Sequence, residues 1–274
     1  MRTDTIFYLL FKLLPATFFE LIGQPNKAKN YEFTSEEIKE TAFRIDGLFK
    51  SSRKYSPIYF TEVQFQPKDD FYGKLFAQIL TYLYRKKPKD WRAVAIFATR
   101  SLDTGFEKEY KLYKELLDGQ RVQRIYLDEL KIAANSSLGL KTIQLIVEER
   151  ENQEETVELA RELVSEAEEE LEDDALAEAV VELVKRIVIY KLPNLSSQEL
   201  EAMFGLAELK ETRFYQDVKA EVELEAQLKS VPAFLALGLT VEQIATAFGL
   251  DVELVKQAAE NSAANPPTEE NNNN

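Results

Sequence analysis

The sequence predicts an α/β protein that carries an all-helical, acidic C-terminal extension. Three observations support this. Short runs of aromatic and β-branched residues recur between residues 31 and 127, helix-spaced apolar stripes separate them, and beyond residue 148 only helix-spaced stripes remain.

Taken in order, Thr3 to Leu14 has the spacing of an amphipathic helix, and Pro15 opens a second short helix that Gly23 ends. The apolar N-terminus is interrupted by Asp4, Lys12 and Glu20 and lacks a small-residue cleavage site. It therefore reads as part of the folded domain rather than a signal peptide. Strands are expected near Tyr31–Phe33, over Ala42–Phe49 and over Ile58–Phe65, with the Ser51-Ser52 to Pro57 turn between the last two. A helix is expected from Asp70 to Arg85. WRAVAIFA (Trp91 to Ala98) has few polar breaks, as a buried parallel strand does. A helix near Glu107–Leu117 and a strand over Val122–Leu127 complete the α/β unit, assigned to residues 1–147.

Residues 148–230 read as an acidic helical region. Glu148 to Ala175 carries a narrow stripe of Val157, Ala160, Leu163, Val164, Ala167 and Leu171, and Leu176 to Tyr190 repeats it. Ser196-Ser197-Gln198-Glu199 has the form of a capping box, with Gly205 as the stop of that helix. Residues 231–262 have a helix-turn-helix-like shape, in which Gly238-Leu239-Thr240 opens one helix and Phe248-Gly249-Leu250 turns into the next. A DNA-reading helix favours Arg, Lys, Asn or Gln, whereas VELVKQAAE offers Lys256 and Gln257 among acids, so a packing or oligomerisation module is expected. Residues 263–274, ending PPTEENNNN, read as a disordered tail.

Composition narrows the chemistry. The chain has no histidine and no cysteine, which removes Ser-His-Asp and Cys-His nucleophilic catalysis, the usual zinc ligands and disulfides. The lack of cysteine fits a cytoplasmic location, and no run is long and apolar enough to span a membrane. The net charge of −14 is unevenly spread. Residues 1–147 hold 24 Lys+Arg against 18 Asp+Glu, whereas residues 148–186 hold 4 against 16. The α/β half is therefore basic. Its Arg85, Lys86, Lys87 and Lys89 cluster, with Arg92 and Arg100 nearby, is a candidate for phosphate contact, or else a solvated loop.

The candidate site lies between FRIDGLF (Phe43 to Phe49) and IYFTEVQFQ (Ile58 to Gln66). Alternate residues of a strand share a face, so Glu62 and Gln64 point the same way as Ile58 and Phe60. If the two strands pair as an antiparallel hairpin, Asp46 lies beside them. Two carboxylates and an amide then converge on the oxygen donors that a hard divalent cation takes. The other reading is an ion pair of Glu62 with Arg44.

Asp46 and Glu62-Val63-Gln64 on consecutive strands resemble the PD-(D/E)XK nuclease pattern, with an αβββαβ core. More narrowly, TDTIFY, FFELIGQP, FRIDGLF, YFTEVQFQP, WRAVAIF and RVQRIYLDEL together resemble the Rpn-type recombination-promoting nucleases and transposase-like proteins, in their DUF2887 branch. The likeness covers residues 1–150 well and the following helices more loosely. It implies a Mg²⁺-dependent DNA endonuclease, with Mn²⁺ as a substitute cation. Asp46, Glu62 and the Val63 carbonyl would bind metal, and Gln64 would stand where the broader fold has lysine. It also implies a link to recombination or mobile elements. An acid on the first helix commonly completes such sites, which leaves Asp4 and Glu20 as alternatives. Gln78 and Tyr82, four apart on one helix face, resemble the Gln-x-x-x-Tyr element of RecB-like nucleases, or else are a surface Gln beside a packed Tyr. DNA is the expected partner, with self-association through the C-terminal helices. The competing reading is an inactive nuclease fold serving as a DNA-binding or assembly module.

Overall fold

The structure is a computed structural model that describes residues 3–38, 43–148, 153–192 and 213–264. The side chains of Asp4, Arg44 and Asp46 lie outside that description, as do Ser196–Glu199, Gly205 and residues 265–274. Residues 2–192 form one compact unit and residues 193–274 belong to another.

In the larger unit a five-stranded sheet runs in chain order: β1 (Tyr31–Ile38), β2 (Phe43–Ser51), β3 (Ile58–Gln64), β4 (Trp91–Phe97) and β5 (Val122–Tyr126). The β1–β2 and β2–β3 pairs are antiparallel, whereas β3–β4 and β4–β5 are parallel. Two helices supply the parallel crossovers, α3 (Phe71–Lys86) before β4 and α4 (Thr104–Asp118) before β5. β4 lies between β3 and β5 and is covered on both faces, which is why Ala93 to Phe97 read as an unbroken apolar run and are all buried.

On one face Phe60, Ala93, Ala95, Phe97 and Val122 pack with Phe71, Tyr72, Leu75, Phe76 and Ile79 of α3 and Leu117 of α4. The other face meets α1 (Thr3–Leu13) and α2 (Ala16–Leu21) through an aromatic cluster in which the Phe18 and Phe49 rings stack with centroids 4.0 Å apart. Burying each such ring stabilises the fold by about 1.5–3 kcal/mol relative to leaving it exposed. Helix α3 ends at Lys87, which adopts the left-handed region (φ 49°) and donates its N–H to the Leu83 carbonyl. Pro88 then blocks any continuation.

Three further helices complete this unit: α5 (Leu138–Val147), α6 (Gln153–Glu170) and α7 (Asp174–Lys191). α7 packs on α1, and α5 packs on α2, α6 and α7. The change of charge at residue 148 is thus a change of surface composition, because the apolar stripes of α6 and α7 are buried in the same unit as the sheet. The break between α6 and α7 falls before the expected one, because the Asp173 carboxylate accepts the Ala175 and Leu176 N–H groups and caps α7. Lys191 at the end of α7 donates to the Leu145 and Ile146 carbonyls, which satisfies the C-terminus of α5.

The second unit contains α8 (Arg213–Ala236), α9 (Val241–Phe248) and α10 (Val252–Ala264). Thr240 and Gln243 form a capping box at α9, and Gly249 turns the chain at φ 67°. Val231, Ile244, Ala245 and Val255 make its core, while Lys256 and Gln257 are exposed.

Candidate functional site

Glu62 sits where strand pairing changes. The β2–β3 ladder runs from Phe49↔Tyr59 through Leu48↔Phe60 to Gly47↔Thr61, its last pair. Asp46 precedes Gly47 and Glu62 follows Thr61, so the backbone brings both acids to the same end of this pairing. The β1–β2 register also shifts there, with Thr34 opposite Leu48 but Glu36 opposite Ile45. Asp46 and Gly47 thus face the single residue Ser35 as a β-bulge. Beyond Thr61, β3 keeps its pairing with β4 alone, through Gln64↔Phe97. The Gln64 carbonyl accepts the Ala98 N–H at 3.1 Å, on the β4 side. Successive carbonyls of a strand alternate in direction, so the Val63 carbonyl points to the other edge, the one β2 has left.

The close approach of β2 to β3 requires glycine at position 47. A Cβ there would stand 2.2 Å from the Thr61 methyl and 2.8 Å from the Thr61 carbonyl oxygen.

On its α3 side Glu62 lines a cleft of about 140 Å³ with Lys68, Phe71, Lys74, Leu75 and Gln78. Gln78 thus shares a wall with Glu62. Tyr82, one turn on, is instead buried edge-on against Phe60, with centroids 5.3 Å apart. Gln64 turns its amide to donate to the Gln66 carbonyl at 2.7 Å. Lys74 pairs with Asp70 at 2.7 Å.

The first two turns of α4 hold this cleft wall in place. Both oxygens of Glu109 accept backbone N–H groups at the start of α3, from Tyr72 at 2.8 Å and Gly73 at 3.0 Å. These donors are unsatisfied within the helix, and a carboxylate complements the positive end of its dipole. Lys108 bridges to Asp69, whose carboxyl is held below its usual range by that hydrogen bond. Beneath them the buried Asp103 accepts from the Tyr72 hydroxyl at 2.9 Å and the Tyr126 hydroxyl at 2.9 Å, with Arg124 3.7 Å away. Burial raises the Asp103 carboxyl, and the two hydroxyls and Arg124 reduce that rise without cancelling it. Burial, reinforced by the bond to Asp103, pushes Tyr126 up to about 12.

The remaining expected residues are dispersed. Asp4 lies in the first turn of α1. Glu20 accepts a hydrogen bond from Ser137, the N-cap of α5, and is engaged there. Lys86, Lys87 and Lys89 stand at the C-terminal end of α3, roughly 12 Å along the helix from Gln78. Arg92 is tied to Asp90 at 2.9 Å, and Arg100 is tied to Glu129 at 2.6 Å while stacking over Tyr126. Among the described residues no three acidic side chains gather as a metal cage.

Sequence reasoning did not single out Lys68, Asp103 or Glu109. Only Lys68 had a legible signal, a cation four residues past Gln64. The other two work through contacts made across α3 and β5.

No helix among the described residues is long and apolar enough to cross a membrane. A family model described as a protein of unknown function (DUF2887) matches residues 3–204. No curated protein and no solved structure matches the chain.

Proposed function

The chain belongs to the DUF2887 family, and on that premise we propose that it is a Mg²⁺-dependent DNA endonuclease with a PD-(D/E)XK-like core. The observation that carries this reading is the end of the β2–β3 pairing at Gly47↔Thr61. There the backbone brings Asp46, Glu62 and the Val63 carbonyl to the same end of that pairing, beside a cleft that bears two lysines. The strand order supports it, since an antiparallel β1–β2–β3 set followed by a helix and a parallel strand resembles the αβββαβ arrangement.

Two carboxylates and a backbone carbonyl are hard oxygen donors, which suit Mg²⁺ or Mn²⁺ and fit a chain without histidine or cysteine. A bound Mg²⁺ would lower the pKa of a coordinated water and polarise the scissile phosphate. The chain's own contribution is to hold Glu62 and the phosphate against the wall formed by α3. A role in recombination or mobile-element movement follows from the family resemblance alone.

The test is incubation of supercoiled plasmid with the purified protein in Mg²⁺ and in Mn²⁺, beside an Asp46→Ala, Glu62→Ala variant. Metal-dependent nicking that the double variant lacks is the expected result. One observation favours a second reading, a DNA-binding or assembly module without catalysis: Gln64 carries no charge and is engaged with Gln66. Absence of nicking by the wild-type chain in both metals selects it.

A further inference from the structure

The positive charge that Gln64 lacks stands one loop further along the chain. We propose that Lys68 supplies it, donating to the scissile phosphate in the Glu62 cleft; this rests on the nuclease reading above. Three features of the Gln66–Asp70 loop point there.

Lys68 is half-buried in the wall that also carries Glu62, yet it makes no ion pair among the described residues. Lys74, the other cation of the cleft, is neutralised by Asp70. A partly desolvated ammonium without a carboxylate partner costs stability, and an arriving phosphate would offset that cost.

The loop is also braced. The Lys68 carbonyl accepts the Phe71 N–H at 3.3 Å, and Gly105 packs so close that a Cβ on it would lie 3.1 Å from the same oxygen. Lys108 grips Asp69, and Glu109 caps the helix that follows. Lys68 therefore hangs from a backbone set before substrate arrives, which is what electrostatic stabilisation needs.

Gln64, finally, braces the start of this loop through the Gln66 carbonyl. The two duties of a lysine at position 64, positioning and charge, are thus divided between Gln64 and Lys68. In the hydrolysis, water oxygen bonds to phosphorus as the bond from phosphorus to the leaving sugar oxygen breaks. The attacking water loses a proton to solvent, and the leaving oxygen takes one from solvent. Lys68 donates a hydrogen bond to a non-bridging oxygen as charge builds on it.

The experiment measures single-turnover plasmid nicking in saturating Mg²⁺ for the wild type, Glu62→Ala, Lys68→Met, Lys68→Arg and the Gln64→Lys, Lys68→Met double variant. Lys68→Met is expected to lose about 100-fold in rate. Lys68→Arg should stay within about tenfold of wild type, and Gln64→Lys should return at least about tenfold to Lys68→Met. In EDTA, duplex binding by Lys68→Met should lose about 0.9 from the slope of log affinity against log salt, the share of one neutralised phosphate. Wild-type nicking that Glu62→Ala abolishes and Lys68→Met leaves untouched overturns the Lys68 assignment alone. So does a Lys68→Met loss that Gln64→Lys fails to rescue. A wild-type chain that nicks in neither metal overturns the nuclease reading and the Lys68 assignment together.

Discussion

Gly47 and Thr61 face each other across the last pair of the β2–β3 ladder at a separation that admits no side chain on Gly47. Asp46 and Glu62 are their immediate neighbours, so this contact sets the spacing of the two acids. Gly47→Ala must push the strands apart, at a cost of about 1–3 kcal/mol. Thr61→Ala in the same chain removes the methyl that the new Cβ meets at 2.2 Å, while the carbonyl contact at 2.8 Å remains. Urea unfolding should therefore show a loss for Gly47→Ala that Thr61→Ala relieves in part. A loss unaffected by Thr61→Ala would place the strain elsewhere.

Metal binding should follow the same geometry. A cation that binds only the folded chain raises the melting temperature, and the rise grows with the logarithm of its concentration once that exceeds Kd. Titration with Mg²⁺ or Mn²⁺ should stabilise the wild type and leave Asp46→Ala and Glu62→Ala unmoved. Gly47→Ala should respond weakly, because both acids remain but their spacing does not. An equal response in all four proteins would rule out a cation at this end of the β2–β3 pairing.

Glu109 is half-buried and is expected to contribute more than an exposed acid does. Glu109→Ala leaves the first N–H groups of α3 without their acceptors and removes a carboxylate from the positive end of the helix. A loss of about 1–2 kcal/mol in urea unfolding is expected. Glu109→Gln keeps one acceptor oxygen and should lose less. Asp69→Ala, which breaks the exposed pair with Lys108, should change stability far less than Glu109→Ala.

Much of the sheet could be read from the sequence because each strand carries its own pattern. The alternation in β3 puts Glu62 and Gln64 with Phe60, and the apolar run of β4 announces a strand covered on both faces. That the backbone sets Asp46 and Glu62 at the same end of the β2–β3 pairing follows once the hairpin is antiparallel. The bulge that sets Asp46 and Gly47 against Ser35 does not follow, because it depends on the register of β1. Helix α5 left a readable trace in Ser137, whose hydroxyl accepts the Leu140 N–H. The basic cluster shows the opposite limit. Composition reports that Lys86, Lys87 and Lys89 are together, but only the direction of α3 shows that they lie at its far end from Glu62.

Asp103 gives a pH dependence of opposite sign to that of the paired surface acids. Its folded pKa is raised above the unfolded value of 3.8. Between those two values the folded state binds more protons than the unfolded one. The contribution of Asp103 to stability is therefore fully present below the unfolded value and is lost as pH rises through the folded value. In Asp90, burial raises the carboxyl, but the Arg121 hydrogen bond, the Trp91 N–H and Arg92 together hold it below its usual range. Its contribution is present at neutral pH and lost on acidification. Subtracting the stability of Asp103→Asn from that of the wild type across pH 3 to 8 isolates the first group. The difference should favour the wild type most at the acid end, fall as pH rises, and then level off. A difference that grows with pH would mean that Asp103 is stabilised as a carboxylate.

The basic cluster at the end of α3 should affect DNA affinity without affecting the chemistry. Lys86, Lys87 and Lys89 lie roughly 12 Å along the helix from Gln78, so they cannot touch the phosphate held beside Glu62. A duplex seated in the cleft carries further phosphates past that distance, and each one neutralised releases counterions. Replacing Lys86, Lys87 and Lys89 with Ala should therefore lower the salt slope of binding by up to about 2.7, roughly 0.9 for each phosphate no longer neutralised. At saturating enzyme the single-turnover nicking rate should be unchanged, because the groups around Glu62 are intact. An unchanged slope would show that the duplex leaves the cleft in another direction and that the lysines are simply solvated. A fall in rate at saturation would place them nearer the reacting phosphate than the helix allows.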